Sequence, residues 1–100
     1  SDAALRRVAR LGDGWFGFNH TLESAEECLS RLDAALEAEG RSRADLEISL
    51  SPYLQPSRGA DLPHFEALGV ERFVVLAMAP SVEAIPGTLD ATAREYGLPA

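Results

Sequence analysis

The hexapeptide Leu46-Glu47-Ile48-Ser49-Leu50-Ser51 alternates strictly, with Leu46, Ile48 and Leu50 on one side and Glu47, Ser49 and Ser51 on the other. Successive side chains of a strand point to opposite faces, so this is a strand with one apolar and one polar face, the polar one continued by Tyr53. It lies between two stretches of helical period, and helix-bearing connections of that kind join parallel strands. The combination restricts the fold severely, because a parallel sheet is ordinarily covered on both faces. A half-polar central strand needs something other than helices on its second face.

The rest of the chain supplies the neighbours. Over residues 3–11, Leu5, Val8, Ala9 and Leu11 share one side of a helix while Arg6, Arg7 and Arg10 share the other. Asp2 or Ser1 is placed to cap it, and Gly12 reads as the left-handed residue that stops it. Asp13-Gly14 then turns the chain into a short aromatic strand, Trp15-Phe16-Gly17-Phe18. After the loop Asn19-His20-Thr21, the run Ser24-Ala25-Glu26-Glu27 reads as a capping box, with Leu22 just outside it. Cys28, Leu29, Leu32, Ala35 and Leu36 form the apolar stripe of the helix that follows, and Gly40 ends it.

Beyond the central strand, Pro52 and Pro56 bracket a loop reaching Ala60, and Asp61 is placed to cap a short helix carrying Leu62, Phe65 and Leu68 and stopped by Gly69. The unbroken apolar run Phe73-Val74-Val75-Leu76-Ala77-Met78 reads as a strand buried on both faces. A last helical stripe, Val82, Ile85, Leu89, Ala93 and Tyr96, contains Pro86-Gly87, which should break or restart it after its first turn. The expected order is α-β-α-β-α-β-α. With its half-polar middle strand, this is an α/β fold that makes sense as part of a (β/α)8 barrel, whose inside is filled by side chains from all its strands.

Charge and composition exclude several functions. Sixteen acidic residues face nine arginines and no lysine, a formal charge of −7 that would repel a phosphate backbone, so no nucleic-acid partner is expected. No stretch approaches the ~20 apolar residues that span a bilayer, and no secretory leader is visible, so the expectation is a cytoplasmic protein without membrane contact. Cys28 has no second cysteine to pair with and sits on an apolar stripe, and His20 and His64 show no metal-ligand spacing, so no metal is expected. Gly12, Gly14 and Gly17 are not a phosphate-binding fingerprint, because they follow a helix and open a strand, the reverse of the required order.

The stretch Ser1-Asp2-Ala3-Ala4-Leu5-Arg6-Arg7, running into Leu11-Gly12-Asp13-Gly14-Trp15, resembles the C-terminal segment of the bacterial luciferase-like monooxygenases, flavin- or deazaflavin-dependent (β/α)8-barrel enzymes. The later layout resembles the same family, through Ala38-Glu39-Gly40-Arg41, the strand at Leu46, and Leu68-Gly69-Val70-Glu71-Arg72-Phe73-Val74-Val75. The resemblance covers residues 1–100 as one segment, the last third of such a protein; the family's Gly-Gly before the serine and its earlier strands do not occur in these residues. It implies an oxidoreductase that uses reduced FMN or a deazaflavin on a small organic substrate, with these hundred residues alone inactive and binding no cofactor. Carried over, it makes Ser1, with the amides near Asp2 and Ala3, a cofactor phosphate contact; a plain helix cap is the alternative. Trp15 either stacks beside the flavin or packs in the core.

Residues just past the C-terminal ends of barrel strands line active sites, which nominates Asn19 and His20 after the first strand, Tyr53 and Gln55 after the second, and Met78 at the end of the third. His20 is the one candidate acid or base among them, although no partner carboxylate can be placed beside it from sequence. The competing expectation is a small non-enzymatic α/β module. Open sheet edges and an uncovered face would then lead it to bind a partner or to form a homo-oligomer through the sheet.

Overall fold

A computed structural model describes residues 2–98. The elements run α1 (Asp2–Leu11), β1 (Gly14–Phe18), α2 (Leu22–Ala38), β2 (Glu47–Ser51), α3 (Leu62–Ala67), β3 (Arg72–Phe73) and α4 (Ile85–Glu95), with 3-10 turns at Arg43–Asp45 and Gly59–Asp61. The three strands form one parallel sheet in the order β1-β2-β3. The α/β class, the strand count and the alternation of helix and strand are those expected from the sequence.

Register decides which side chains share a face. Trp15 pairs with Ile48, Gly17 with Leu50, and Leu50 with Phe73, so these lie on one side of the sheet. That side meets the helices. Leu5 and Ala9 of α1, Ala25, Leu29, Leu32 and Leu36 of α2, and Phe65 of α3 form one buried cluster with Leu46, Ile48, Leu50 and Val70. The side chain of Tyr96, at the end of α4, reaches the same side, its ring 6.2 Å from that of Phe73. The opposite side carries Phe16, Phe18, Glu47, Ser49, Ser51 and Arg72, and no helix of the described residues packs on it.

α1 and α2 run in the same direction. Asp2, at the start of α1, makes an ion pair with Arg31 in the middle of α2, while Arg41 beyond the end of α2 donates to the carbonyls of Ala9 (3.0 Å) and Gly12 (2.8 Å) at the end of α1. These two arginines clamp the helices at both ends. Arg43 does the same for the next layer, donating to Asp33 of α2 (2.7 Å) and to the Leu68 carbonyl after α3.

Several local expectations are corrected. α2 starts at Leu22, not after Ser24: the Thr21 hydroxyl accepts from Ser24 N–H (3.1 Å) and the Ser24 hydroxyl accepts from Thr21 N–H (2.9 Å), a reciprocal box one turn earlier than the Ser24–Glu27 pair. Gly12 ends α1 without a positive φ. A side chain there would meet the Val8 carbonyl oxygen at 2.8 Å, so the glycine is required by close approach. Gly40 and Gly69 do take the left-handed conformation, at φ of 68° and 95°. Asp61 makes no cap bond to α3; its carboxylate accepts from Arg58 N–H (2.8 Å) and closes the preceding 3-10 turn.

The largest correction concerns the third strand. Only Arg72 and Phe73 join the ladder, which β2 ends at Ser51 before Pro52; the last bond runs from Val74 N–H to the Leu50 carbonyl (2.9 Å). Residues 74–79 continue as an extended arm in which Val74, Leu76 and Met78 are exposed, so the run is not buried on both faces. Without a longer β2 or another strand, the side carrying Val74, Leu76 and Met78 is uncovered among the described residues, while Val75 and Ala77 on the other side are half-buried. α4 begins at Ile85 with Pro86 in its first turn, where the missing N–H costs nothing. Its expected stripe is largely unburied, with Val82, Ile85 and Leu89 exposed. The arm draws the molecule out to 49 × 23 × 21 Å and a radius of gyration of 15.5 Å, against about 13 Å for a compact chain of this length.

Candidate functional site

Two surfaces meet at the C-terminal ends of β1 and β2. They are organised by Ser51. Its carbonyl accepts from Asn19 N–H (2.9 Å), the residue that leaves β1, and its hydroxyl accepts from Tyr53 N–H (3.2 Å), in the loop that leaves β2. Asn19 and Tyr53 have φ of 64° and 52°, the only non-glycine residues of positive φ among those described. Left-handed backbone costs a residue with a Cβ about 1 kcal/mol or more, and such conformations concentrate at sites where loop shape matters.

The strain at Tyr53 places its ring on Phe18, with centroids 4.4 Å apart, and Phe16 follows at 6.3 Å from Phe18. The three rings line the open side of the sheet. Between them and Val74 and Arg72, the small side chains of Ser49 and Ser51 form a floor: both are buried although no helix lies above them, because their neighbours are larger. Glu47 and Arg72 pair across this side at 2.9 Å, near the N-terminal end of β2. The surface is thus aromatic at one end, uncharged in the middle, and closed at the other end by a neutralised ion pair.

The other surface lies on the helix side. Gly17 has no side chain, and the Trp15 indole occupies the space above it: a Cβ there would collide with Cη2 of Trp15, come within 2.7 Å of its Cζ3, and approach Cδ2 of His20 to 3.0 Å. Trp15 and His20 meet over the glycine with ring centroids 5.8 Å apart. His20 Nδ1 is 3.0 Å from the Ser24 hydroxyl, which is already held in the α2 cap. Burial lowers the His20 pKa below its usual value, keeping the imidazole neutral near pH 7. These groups border a cleft of about 370 Å³ between α1, β1 and α2, lined also by Leu5, Cys28 and Arg31. Burial raises the Cys28 thiol pKa, so it lacks the thiolate character of a reactive cysteine.

The residues singled out from sequence fall in different places. Tyr53 and Asn19 come together through Ser51. His20 and Trp15 also come together, but on the helix side, with Trp15 packed against the core and turned away from the open face. Asp2 is engaged by Arg31, whose hydrogen bond and charge hold its carboxyl below the usual carboxylate range, and Ala3 is exposed on α1. Ser1 lies outside the described residues. Gln55 closes a turn onto the Pro52 carbonyl (2.9 Å), and Met78 lies far along the extended arm. Ser49 and Ser51 lie on the open face, the polar side expected of the central strand; Phe18 and Gly17 are not among the sequence candidates, and the period-two alternation that puts Phe16 and Phe18 on one side of β1 is the signal for the former.

The ladder also defines a free edge. Glu47 N–H donates to the Asp13 carbonyl (3.0 Å) and Asn19 N–H to the Ser51 carbonyl, the two ends of a parallel pairing in which alternate β1 residues face β2. Trp15 and Gly17 carry the bonds. Gly14, Phe16 and Phe18 therefore turn their N–H and C=O groups outward. Among the described residues, the remaining features are negative: no group of three or more potential ligands could hold a metal ion, and no helix is long and apolar enough to cross a membrane. Compared with protein-family models, curated proteins and solved structures, the chain matches none.

Proposed function

We propose that these residues are one segment of a (β/α)8 barrel of the luciferase-like kind, the C-terminal third of an oxidoreductase that uses reduced FMN or a deazaflavin on a small organic substrate. The observation that carries this reading is the one-sided sheet: three parallel strands with every packed helix on one face and a free outer edge at β1. Parallel sheets are covered on both faces in open α/β folds, whereas in a barrel the second face is the inside. The open face then becomes part of the barrel interior, and the Phe18–Tyr53 end becomes part of its active-site mouth.

The residues present fit the ring of a flavin or deazaflavin. Phe16, Phe18 and Tyr53 offer flat apolar area at the strands' C-terminal ends, suited to an aromatic ring system, whereas at the start of α1 Arg31 is already paired with the Asp2 carboxylate. When bound, such a cofactor supplies the redox chemistry. The chain's own residues would hold the ring, exclude water from it and keep a neutral imidazole nearby. Trp15 does not fit a ring-stacking role, since it faces the helices.

Titration of FMN and of a deazaflavin into the whole polypeptide that the gene encodes, followed by fluorescence, tests the reading. Stoichiometric binding of one of them is expected, with none above background by residues 1–100 alone. Failure of the whole polypeptide to bind either sinks the oxidoreductase reading, and tight binding by the hundred residues alone overturns the claim that they hold only part of the site. The same open face favours a second reading, a non-enzymatic α/β module that uses its sheet to bind a partner.

A further inference from the structure

We infer that residues 1–100 on their own form an isologous dimer in which the open faces of two sheets stack on each other. The occupant of the face is a second copy of this chain. Phe16, Phe18, Tyr53, Val74, Leu76 and Met78 line the open side of the sheet and its extension, and each is between 39% and 72% exposed. At about 200 Å² for a large side chain, their exposed apolar surface is on the order of 500 Å² per copy. A standard interface buries about 800 Å² per partner, of which about 65% is apolar in homodimers, so the patch supplies the apolar area that one such interface needs.

Charge agrees with this choice of occupant. A chain of net charge −7 repels its own copies over most of its surface. On this face, however, the charged residues Glu47 and Arg72 neutralise each other at 2.9 Å and sit at one end. Two copies related by a two-fold axis place these pairs at opposite rims and bring uncharged aromatic surface together at the centre, the distribution found in protein interfaces. Drying the face leaves the Tyr53 N–H satisfied, because it already donates to the Ser51 hydroxyl. The edge groups of Gly14, Phe16 and Phe18 remain in water, so the stacking does not depend on strand addition.

The inference rests on the reading of the open face as a surface built to be covered, but the two fail separately: this one is read on residues 1–100, and the barrel reading on the whole encoded polypeptide. Analytical ultracentrifugation from 1 to 500 µM should give a species of two 10.7 kDa chains. Phe18→Glu should weaken the dimer at least ~30-fold, the loss expected of a central anchor. Leu76→Glu, outside the hydrogen-bonded ladder and so without a route to misfolding the sheet, should do the same with an unchanged far-UV spectrum. Leu11→Glu, on the helix side, should leave the dimer intact. A monomer throughout the range, a dimer that survives both face substitutions, or one that dissolves on Leu11→Glu overturns the inference.

Discussion

Gly17→Ala is a sharp test of how β1 is built. The new methyl would sit where the Trp15 indole lies, colliding with Cη2 and reaching 2.7 Å from Cζ3, and it would also press on His20 at 3.0 Å. Overpacking of this kind costs about 1–3 kcal/mol. Two effects reduce the net loss: alanine restricts the unfolded chain more than glycine, worth about 0.5–1 kcal/mol, and the contacted atoms are the far end of a side chain that can swing outward. A net destabilisation of about 1 kcal/mol is expected, or a fall in Tm of about 4–8 °C for a domain of this size. Because Trp15 is the only tryptophan, its emission reports the movement directly and should shift to the red. His20, losing part of its cover, should titrate closer to its ordinary value of 6.5. A Gly17→Ala protein as stable as the parent, with unchanged emission and an unchanged His20 titration, would refute the packing of Trp15 over Gly17.

Three further outcomes follow from the same contacts. Arg41→Met removes the donors to the Ala9 and Gly12 carbonyls and should destabilise by about 1–3 kcal/mol, with amide exchange accelerating first in the last turn of α1. Asn19→Ala, at φ 64°, should cost about 1 kcal/mol in urea unfolding whereas Asn19→Gly should cost nothing, since only the alanine resists that backbone conformation. Because burial lowers the folded-state pKa of His20, the unfolded chain takes up the proton first on acidification. Its contribution to stability is therefore complete above pH ~6.5 and is lost as the pH falls through the lower folded value; His20→Gln should flatten that part of the stability–pH curve.

What could be read from residues alone divides along a physical line. Local periodicity carried the elements: the LEISLS alternation is β2, the Leu29-Leu32-Leu36 spacing is the buried stripe of α2, and Gly40 and Gly69 stop their helices as left-handed residues. Period two also held the open face, because Phe16, Phe18, Ser49 and Ser51 share it. Features decided by distant partners were not legible. Thr21 wins the α2 cap from Ser24 because the chain is already helical at Leu22, and nothing in Ser24-Ala25-Glu26-Glu27 forbids the later start. The apolar run from Phe73 to Met78 reads as a fully buried strand only if strands exist to bury it; β2 ends at Ser51, so the run beyond Phe73 has no strand to pair with and the arm stays extended. Arg31, Arg41 and Arg43 look like a solvated charge pattern in sequence, yet each locks one helix to another through a carboxylate or a helix-end carbonyl. The aromatic pairing of Tyr53 on Phe18 depends on a positive φ that tyrosine seldom adopts, which no propensity argument would favour.

Whether the open side of the sheet is the inside of a barrel is tested most directly by hydrogen exchange at β1. In residues 1–100, the amides of Trp15 and Gly17 are bonded to β2 and should exchange slowly, while those of Gly14, Phe16 and Phe18 point to the free edge and should exchange quickly. Stacking of two copies through their faces leaves this alternation unchanged. In the whole polypeptide that the gene encodes, a barrel places another strand against that edge, and Gly14, Phe16 and Phe18 should become as protected as their neighbours. The same fast-slow alternation persisting in the whole polypeptide would mean that β1 remains an edge, and the barrel reading would be wrong.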